Sequence, residues 1–519
     1  MIEFCAKFIE LERREGLFRR ETGGSRYWHL IRYWFFNDLV LPHYVKVGVP
    51  HPDDLAVAPV PTTVTGRIVR KAASAARKIL DLTVHNPGVA LRRRSVLFAM
   101  TPRMAAMDGG REGSVMLDFV TPLLRHSYAL WEHGRPCGYT RQPISRKVFH
   151  LPRAERRRSA VLAPSGRFAS DASVRSAEAA ALADLFAREY GFPFESGRIW
   201  WMIDEVLRFR EIYAPLVERW LRRLGVRVLV LSVPEPYNSA VMTEVAHGLG
   251  IPVAELQHGT VYPEHMVYSL GERGSVHSPD YFLAWGDHWG EQMTNYPNIR
   301  SASVGYPFLD HFVRTCPWHP REQGGPLRVL FVSQAMIGAD MSRMALELSR
   351  RLSPDKCRVV YKLHPNESMT WRSLYPQLVG SGVEVVGNDD RNIYQCLCDA
   401  DITVGTNSTA LGEGFAWGVP ALVLRFFLAG ETMGEYCRAG VAEFVDSEEA
   451  LYARVRAMAD GGVHIDTAQF DASRFWVPNA AKNVASFIDA LADGSPPPGL
   501  SRVQRGIESA FADESQGTT

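Results

Sequence analysis

From Val226 onward, short apolar runs of four to seven residues alternate with stretches whose apolar positions recur at helical spacing. Val226-Arg-Val-Leu-Val-Leu-Ser232, Ile251-Pro-Val-Ala-Glu-Leu256 and Tyr281-Phe-Leu-Ala-Trp285 read as strands, and Ser239–Leu249 between the first two as a helix closed by Gly250. A Pro/Gly-rich stretch follows, with Pro317, Pro320, Gly324, Gly325 and Pro326, and marks a domain boundary. A second series begins at Arg328-Val-Leu-Phe-Val-Ser333. It continues through a helix at Met341–Leu352, strands at 358–363 and 383–386, a helix at Ile393–Cys398, and strands at 401–405 and 421–424. Strands that alternate with helices predict parallel sheets.

Upstream, Ser95-Val-Leu-Phe-Ala-Met100 reads as a first core strand, followed by a polar, glycine-containing Thr101–Gly113. Residues 170–190 have a helical pattern. From Val206 to Leu224 the positions 206, 209, 213, 216, 217, 220 and 224 form one amphipathic face. The first 60 residues are rich in aromatic side chains (Tyr27, Trp28, Tyr33, Trp34, Phe35, Phe36) and predict helix packed on something larger. The expected architecture is α/β: two doubly wound Rossmann-like domains facing a cleft, at 95–312 and 326–490. A helical, aromatic and basic extension at 1–94 precedes them, and a disordered tail at 495–519, opening on Ser-Pro-Pro-Pro-Gly, follows.

Composition narrows the class. With 519 residues, 46% hydrophobic and 22% charged, the chain has the make-up of a globular enzyme of more than one domain. Lys+Arg 58 against Asp+Glu 57 argues against a nucleic-acid binder. The seven cysteines are scattered, and Cys396-Leu-Cys398 alone is too weak a pattern to imply a metal or a disulfide. The start, Met1-Ile-Glu-Phe-Cys-Ala-Lys, lacks a basic segment leading into an apolar one, and no apolar run approaches the ~20 residues of a membrane span. The expected location is cytoplasmic. Arg67, Arg70, Lys71, Arg77, Lys78 and Arg92–Arg94, interleaved with Ile68, Val69, Ile79, Leu80 and Leu82, and a second cluster at Arg153 and Arg156–Arg158, admit two readings. One is a solvated helix and loop; the other is peripheral attachment to the inner membrane surface.

Chemistry concentrates in two motifs that each follow a strand. Arg358-Val-Val-Tyr-Lys-Leu-His-Pro-Asn-Glu367 ends on Lys362, His364 and Pro365. Ala400-Asp-Ile-Thr-Val-Gly405 leads into Thr406-Asn-Ser-Thr409 and Ala410-Leu-Gly-Glu-Gly414. Ligands of open parallel sheets bind outside the carboxyl ends of the strands. Hydroxyl residues opening a helix there suit a phosphate, and strand alternation puts Lys362 and His364 on one side. Ser408 and Thr409 are equally natural as a helix cap. This pairing suits a nucleotide-activated sugar. On the first-domain side, His258 follows a strand and precedes Gly259, in position to take a hydroxyl proton or to hydrogen-bond a loop carbonyl. Glu112, Asp118, Asp108 and Glu235 are carboxylates after strands, either rival bases or solvated loop residues. Asp389-Asp390, followed by Arg391, reads as a loop charge run.

The steps Gln257-His-Gly259 and Lys362-Leu-His-Pro365, and the run Ser408-Thr-Ala-Leu-Gly-Glu-Gly414…Gly418-Val-Pro420, resemble GT-B-fold glycosyltransferases. The likeness is to those of bacterial capsule and surface polysaccharides, among them Kdo and sialic-acid transferases and CDP-glycerol glycerophosphotransferases. Glu12–Phe18 and Tyr27-Trp-His-Leu-Ile-Arg32 are similar to the start of capsule-type proteins. The resemblance covers 225–450 well and the N-terminal half loosely. It implies a metal-independent, inverting transferase without cofactor, its partners a nucleotide-sugar donor and a polysaccharide or lipid-linked acceptor. It further implies that His364 contacts the donor phosphate together with Thr406, Ser408 and Thr409, that Glu413 grips the ribose, and that His258 faces the cleft. Gln257-His-Gly-Thr-Val261 departs from the W-H-G-T-P of the glycerophosphotransferases. Two other functions fit the same architecture: a UDP-sugar 2-epimerase and a non-catalytic nucleotide-sugar-binding assembly protein.

Overall fold

The computed structural model describes residues 2–43, 93–132, 142–143, 148–150 and 172–499, apart from 102, 108–110, 235–236, 271–275, 294–298, 335–336, 388–389 and 427–428. The basic stretch 67–92, the cluster at 153–158 and most of the expected tail lie outside the described residues, as do Asp108, Glu235 and Asp389. No helix among the described residues is long and apolar enough to cross a membrane.

Two parallel sheets organise the molecule. The first comprises β1 (Val96–Met100), β2 (Tyr128–Glu132), β3 (Val148–His150), β4 (Val228–Leu231), β5 (Val253–Leu256), β6 (Tyr281–Ala284) and β7 (Arg300–Ser303), in the order β7-β6-β5-β4-β1-β2-β3. The second comprises β8 (Leu327–Val332), β9 (Cys357–Lys362), β10 (Glu384–Val386), β11 (Ile402–Gly405), β12 (Ala421–Leu424) and β13 (Ala442–Val445), in the order β10-β9-β8-β11-β12-β13. Every pairing in both is parallel. β1, β4, β5, β11 and β12 are buried along their whole length, as strands covered on both faces must be. In each sheet the first strand in the chain sits in the interior, and later strands are added first on one side and then on the other. That reversal makes a switch point between β1 and β4 and another between β8 and β11. The architecture is α/β, with two Rossmann-like units.

The expected strand runs are present, and the polar Thr101–Gly113 is a finding of its own: Met104–Met107 and Arg111–Ser114 pair as a small antiparallel ribbon. The N-terminal helices α1 (Ile2–Arg14) and α2 (Trp28–Phe35) pack on α3 (Ala172–Tyr190), with Phe8, Trp28 and Phe35 around Phe186. Buried Arg32 meets Glu12 through two bonds of 2.7 Å and donates to the Ser269 carbonyl at 2.9 Å. The extension thereby braces the segment just after the Gln257–Gly259 step.

One boundary departs from expectation. Helix α9 (Ala480–Asp493), counted by sequence with the second domain, packs on the first sheet. Val484, Phe487, Ile488 and Leu491 are buried with Val96, Phe98, Leu130, Val230 and Leu283. Buried Asp489 accepts the backbone N–H groups of Arg125 and His126 at 3.1 and 3.3 Å. An apolar helix face does not reveal in sequence which sheet it will cover.

Candidate functional site

At the carboxyl edge of the second sheet the register sets β8, β9 and β10 level: Val332 lies opposite Lys362, and Lys362 opposite Val386. The loops leaving β8 and β11 meet at the switch point. There the Gln334 side-chain amide donates to Asn407 Oδ1 at 2.6 Å, and its Oε1 accepts the Asn407 N–H at 3.3 Å. This clamp fixes the hydroxyl-rich loop that follows. Ser408 caps helix α8 (Thr409–Gly414), its Oγ accepting from Ala410 N at 3.3 Å. Thr406 is buried, and its Oγ1 has no hydrogen-bond partner among the described residues. A buried orphan hydroxyl calls for an unseen partner.

His364 stands at the end of β9, on the same edge. Its backbone N–H donates to Glu367 Oε2 at 2.9 Å, and Glu367 Oε1 accepts from Tyr375 Oη at 2.7 Å, so a buried carboxylate sets the turn. The His364 ring accepts the Asn366 N–H on Nδ1 at 3.3 Å. Burial, and then the Lys362 charge, pull the imidazole below its ordinary range against the opposing pull of Glu367. A neutral ring whose Nδ1 is an acceptor carries its proton on Nε2, a donor suited to a phosphate oxygen. Lys362 is buried and donates to the Gly387 carbonyl at 3.0 Å, tying β9 to the end of β10.

Across the cleft, Gln257 is a buried clamp: its Nε2 donates to Gly259 O at 2.8 Å and its Oε1 accepts from Trp285 N at 2.7 Å. The His258 carbonyl accepts from Arg103 at 2.6 Å. Behind the ring lies Glu255, inaccessible to solvent, with Oε1 3.7 Å from His258 Nδ1. Tyr268 Oη donates to that same oxygen at 2.6 Å. Burial pushes the Glu255 carboxyl up to about 8, Tyr268 opposing. His265 nearby is pulled down to about 4 by burial and then by His258. Sequence reading missed Glu255; the signal was a lone acid in an apolar strand, three residues before a histidine.

The two sides share one crevice of about 220 Å³. Thr260, next after His258-Gly259, lines it together with Ser408, Thr409, Gly412 and Thr432 of the second unit, and with Trp285, Trp289 and Trp476.

Other expected residues stand elsewhere. Glu413 is buried, its carboxyl raised by burial and engaged by the hydroxyls of Tyr394 and Thr409, with Tyr306 behind Tyr394. Gripping a ribose would require it to leave both, so the ribose expectation is corrected. Asp118 accepts the Ser114 N–H at 2.6 Å and caps its own turn; burial raises its carboxyl against the opposing pull of that bond and of Arg111, an environment that needs no role as base. Glu112 pairs opposite Ala106 in the antiparallel ribbon, and its side chain lies outside the described residues. Asp390 accepts the Gly387 N–H at 2.9 Å as a turn cap.

No family model matches the chain, and no curated protein matches it. Solved structures do. The UDP-GlcNAc 2-epimerase of Methanocaldococcus jannaschii in complex with UDP-GlcNAc and UDP is 12% identical over 75% of this chain and 98% of its own, with a TM-score of 0.43. The Neisseria meningitidis UDP-GlcNAc 2-epimerase bound to UDP-GlcNAc is 12% identical over 75% and 98%, with a TM-score of 0.41. Acinetobacter baumannii MurG is 12% identical over 76% and 98%, at 0.40. Likeness at this level says nothing of chemistry, which rests on the residues of the crevice.

Proposed function

We propose that this protein is a glycosyltransferase of the GT-B type, moving a sugar from a nucleotide-activated donor to a hydroxyl of a bacterial surface polysaccharide or glycolipid. The observation that carries the reading is the crevice in which the loop after His258 meets the Ser408–Thr409 helix start. In this reading donor phosphate sits against Ser408 and Thr409, which line the crevice, and is met from the same sheet edge by His364 Nε2–H and Thr406, with the charge of Lys362 behind them. Each charge-assisted bond to phosphate contributes about 1.5–3 kcal/mol. The acceptor hydroxyl approaches from the first unit, where His258 takes its proton as the glycosidic bond to the departing phosphate breaks. Glu255, itself bonded by Tyr268, lies behind that imidazole.

The test is a comparison of CMP, CDP, UDP and GDP binding, followed by transfer assays with the preferred donor. His258→Ala is expected to lower kcat by about 10²–10⁴ with nucleotide affinity intact, and His364→Ala to weaken nucleotide binding. Unchanged turnover in both variants would remove the mechanism.

A second reading, a UDP-sugar 2-epimerase, is favoured by one observation. Glu255 is held protonated to about pH 8 beside His258, so acid and base stand together, as removal and return of a carbon-bound proton would use them. Epimer formed from UDP-GlcNAc without any acceptor would decide for it.

A further inference from the structure

The segment joining the two units is stitched to the base of the second sheet. After α6 (Pro307–Thr315) the chain runs Cys316-Pro-Trp-His319. His319 N donates to Cys398 O at 2.8 Å, Trp318 Nε1 to Ala400 O at 2.9 Å, and Trp417 Nε1 to Cys316 O at 2.7 Å. These bonds preset three side chains around one point. His319 Nδ1, Cys398 Sγ and a carboxylate oxygen of Asp399 lie within 4.8 Å of one another, with His319 Nδ1 2.6 Å from Asp399 Oδ1. The Cys316 thiol lies beside that of Cys398.

We propose that Cys316, His319, Cys398 and Asp399 form a binding site for a zinc-type divalent cation, one that fastens the inter-unit segment to the second sheet. The donor set, two thiolates, an imidazole and a carboxylate, is the one zinc selects. Bonds of about 2.0–2.3 Å in a tetrahedron put neighbouring ligand atoms about 3.3–3.8 Å apart. The clustered donors therefore close by up to about an ångström and Cys316 swings in beside Cys398, while His319 and Asp399 open slightly. Asp399 keeps its orientation because its other oxygen, Oδ2, accepts from Arg391 Nη1 at 3.1 Å, an outer partner of the kind that steadies metal carboxylates. His319 is exposed and Asp399 half-buried, which leaves an entry path. Cys396, the other half of the Cys-x-Cys pair, is buried in the core and takes no part.

The site lies before β11 and the crevice after it, about 20 Å away at ~3.3 Å per residue. The cation is structural, and transfer chemistry does not pass through it. This inference stands independently of the proposed activity.

The test uses the full chain, reduced and stripped with a chelator, then titrated with Co²⁺ as a spectroscopic probe. One cobalt per chain is expected, with the intense visible bands of a tetrahedral thiolate complex, bleached by Zn²⁺. His319→Ala, at an exposed position, and Cys398→Ser should each weaken binding by at least about tenfold; Cys396→Ser should leave it unchanged. Zn²⁺ should raise the thermal midpoint of the wild type and not that of His319→Ala. The proposal is overturned if the reduced wild type gives no thiolate–cobalt band, if Cys398→Ser binds cobalt as tightly as the wild type with the band undiminished, or if Cys316 and Cys398 prove to be a disulfide pair that takes up no cobalt after reduction.

Discussion

Glu255 sits where a strand of apolar neighbours would otherwise continue, and its cost to the fold depends on pH. In the unfolded chain its carboxyl ionises near the ordinary 4.5, whereas burial in the native state holds the proton to about 8. Between those values the unfolded chain has released a proton that the native state keeps. The stability contributed by the neutral acid is therefore complete below pH 4.5 and is lost as pH rises through 8. Every tenfold difference in proton affinity between the two states is worth about 1.4 kcal/mol, so the effect is large enough to see. Glu255→Gln is expected to flatten the decline in unfolding free energy between pH 5 and pH 8.5, measured by urea denaturation at stepped pH. A wild type with no such decline would refute the assignment. At this scale the sequence was partly legible. His258, His364, Ser408 and Thr409 could be placed just after strand ends, because glycine, proline or a hydroxyl breaks the apolar run there. The environments of Glu413 and Asp118 could not, because a carboxylate that caps a turn or meets a buried tyrosine reads like one in solvent.

Among elements, strands announced themselves when covered on both faces. β1, β4, β5, β8, β11 and β12 are built mainly of Val, Leu, Ile, Phe and Ala. β7 at the edge, Arg300-Ser-Ala-Ser303, has only Ala302 buried and no apolar run to betray it. β13, with buried Ala442 and Val445 at its ends, is similarly mute. Helix α9 shows the other limit: its apolar spacing is readable, but its destination is set by the open face of a sheet some four hundred residues earlier. Phe487 is fully buried there, its ring centroid 5.5 Å from that of Tyr281. Phe487→Ala is expected to destabilise by about 3–5 kcal/mol. The loss should appear in the unfolding of the first unit, followed by tryptophan fluorescence. A loss confined to the second unit would mean that the helix belongs there.

For the whole molecule, the return crossing at residues 474–477 is as informative as the outward one at 316–326. Val477 N donates to Trp285 O, and Trp289 Nε1 to Phe475 O, both at 2.9 Å. Gly286 admits this backbone because it has no Cβ: one added there would run into the Arg474 carbonyl and Phe475. Gly305, at φ +90°, would likewise meet Val477. Gly286→Ala is expected to push the returning strand off the first unit, lowering the thermal midpoint and loosening the crevice. Nucleotide affinity should fall even though residue 286 touches no phosphate. Affinity and midpoint at wild-type values would show that the crossing is slack.

Because α9 closes a sheet begun at Val96, the first half of this protein cannot finish folding when it is made. On the ribosome, at about 5–20 residues per second, roughly 20–80 s separate the emergence of β1 from that of Phe487. Throughout that interval the face that Val96, Phe98 and Val230 share with α9 has no permanent cover. A nascent chain of this design has reason to engage a chaperone at its first domain, and to release it only when residues 484–491 arrive.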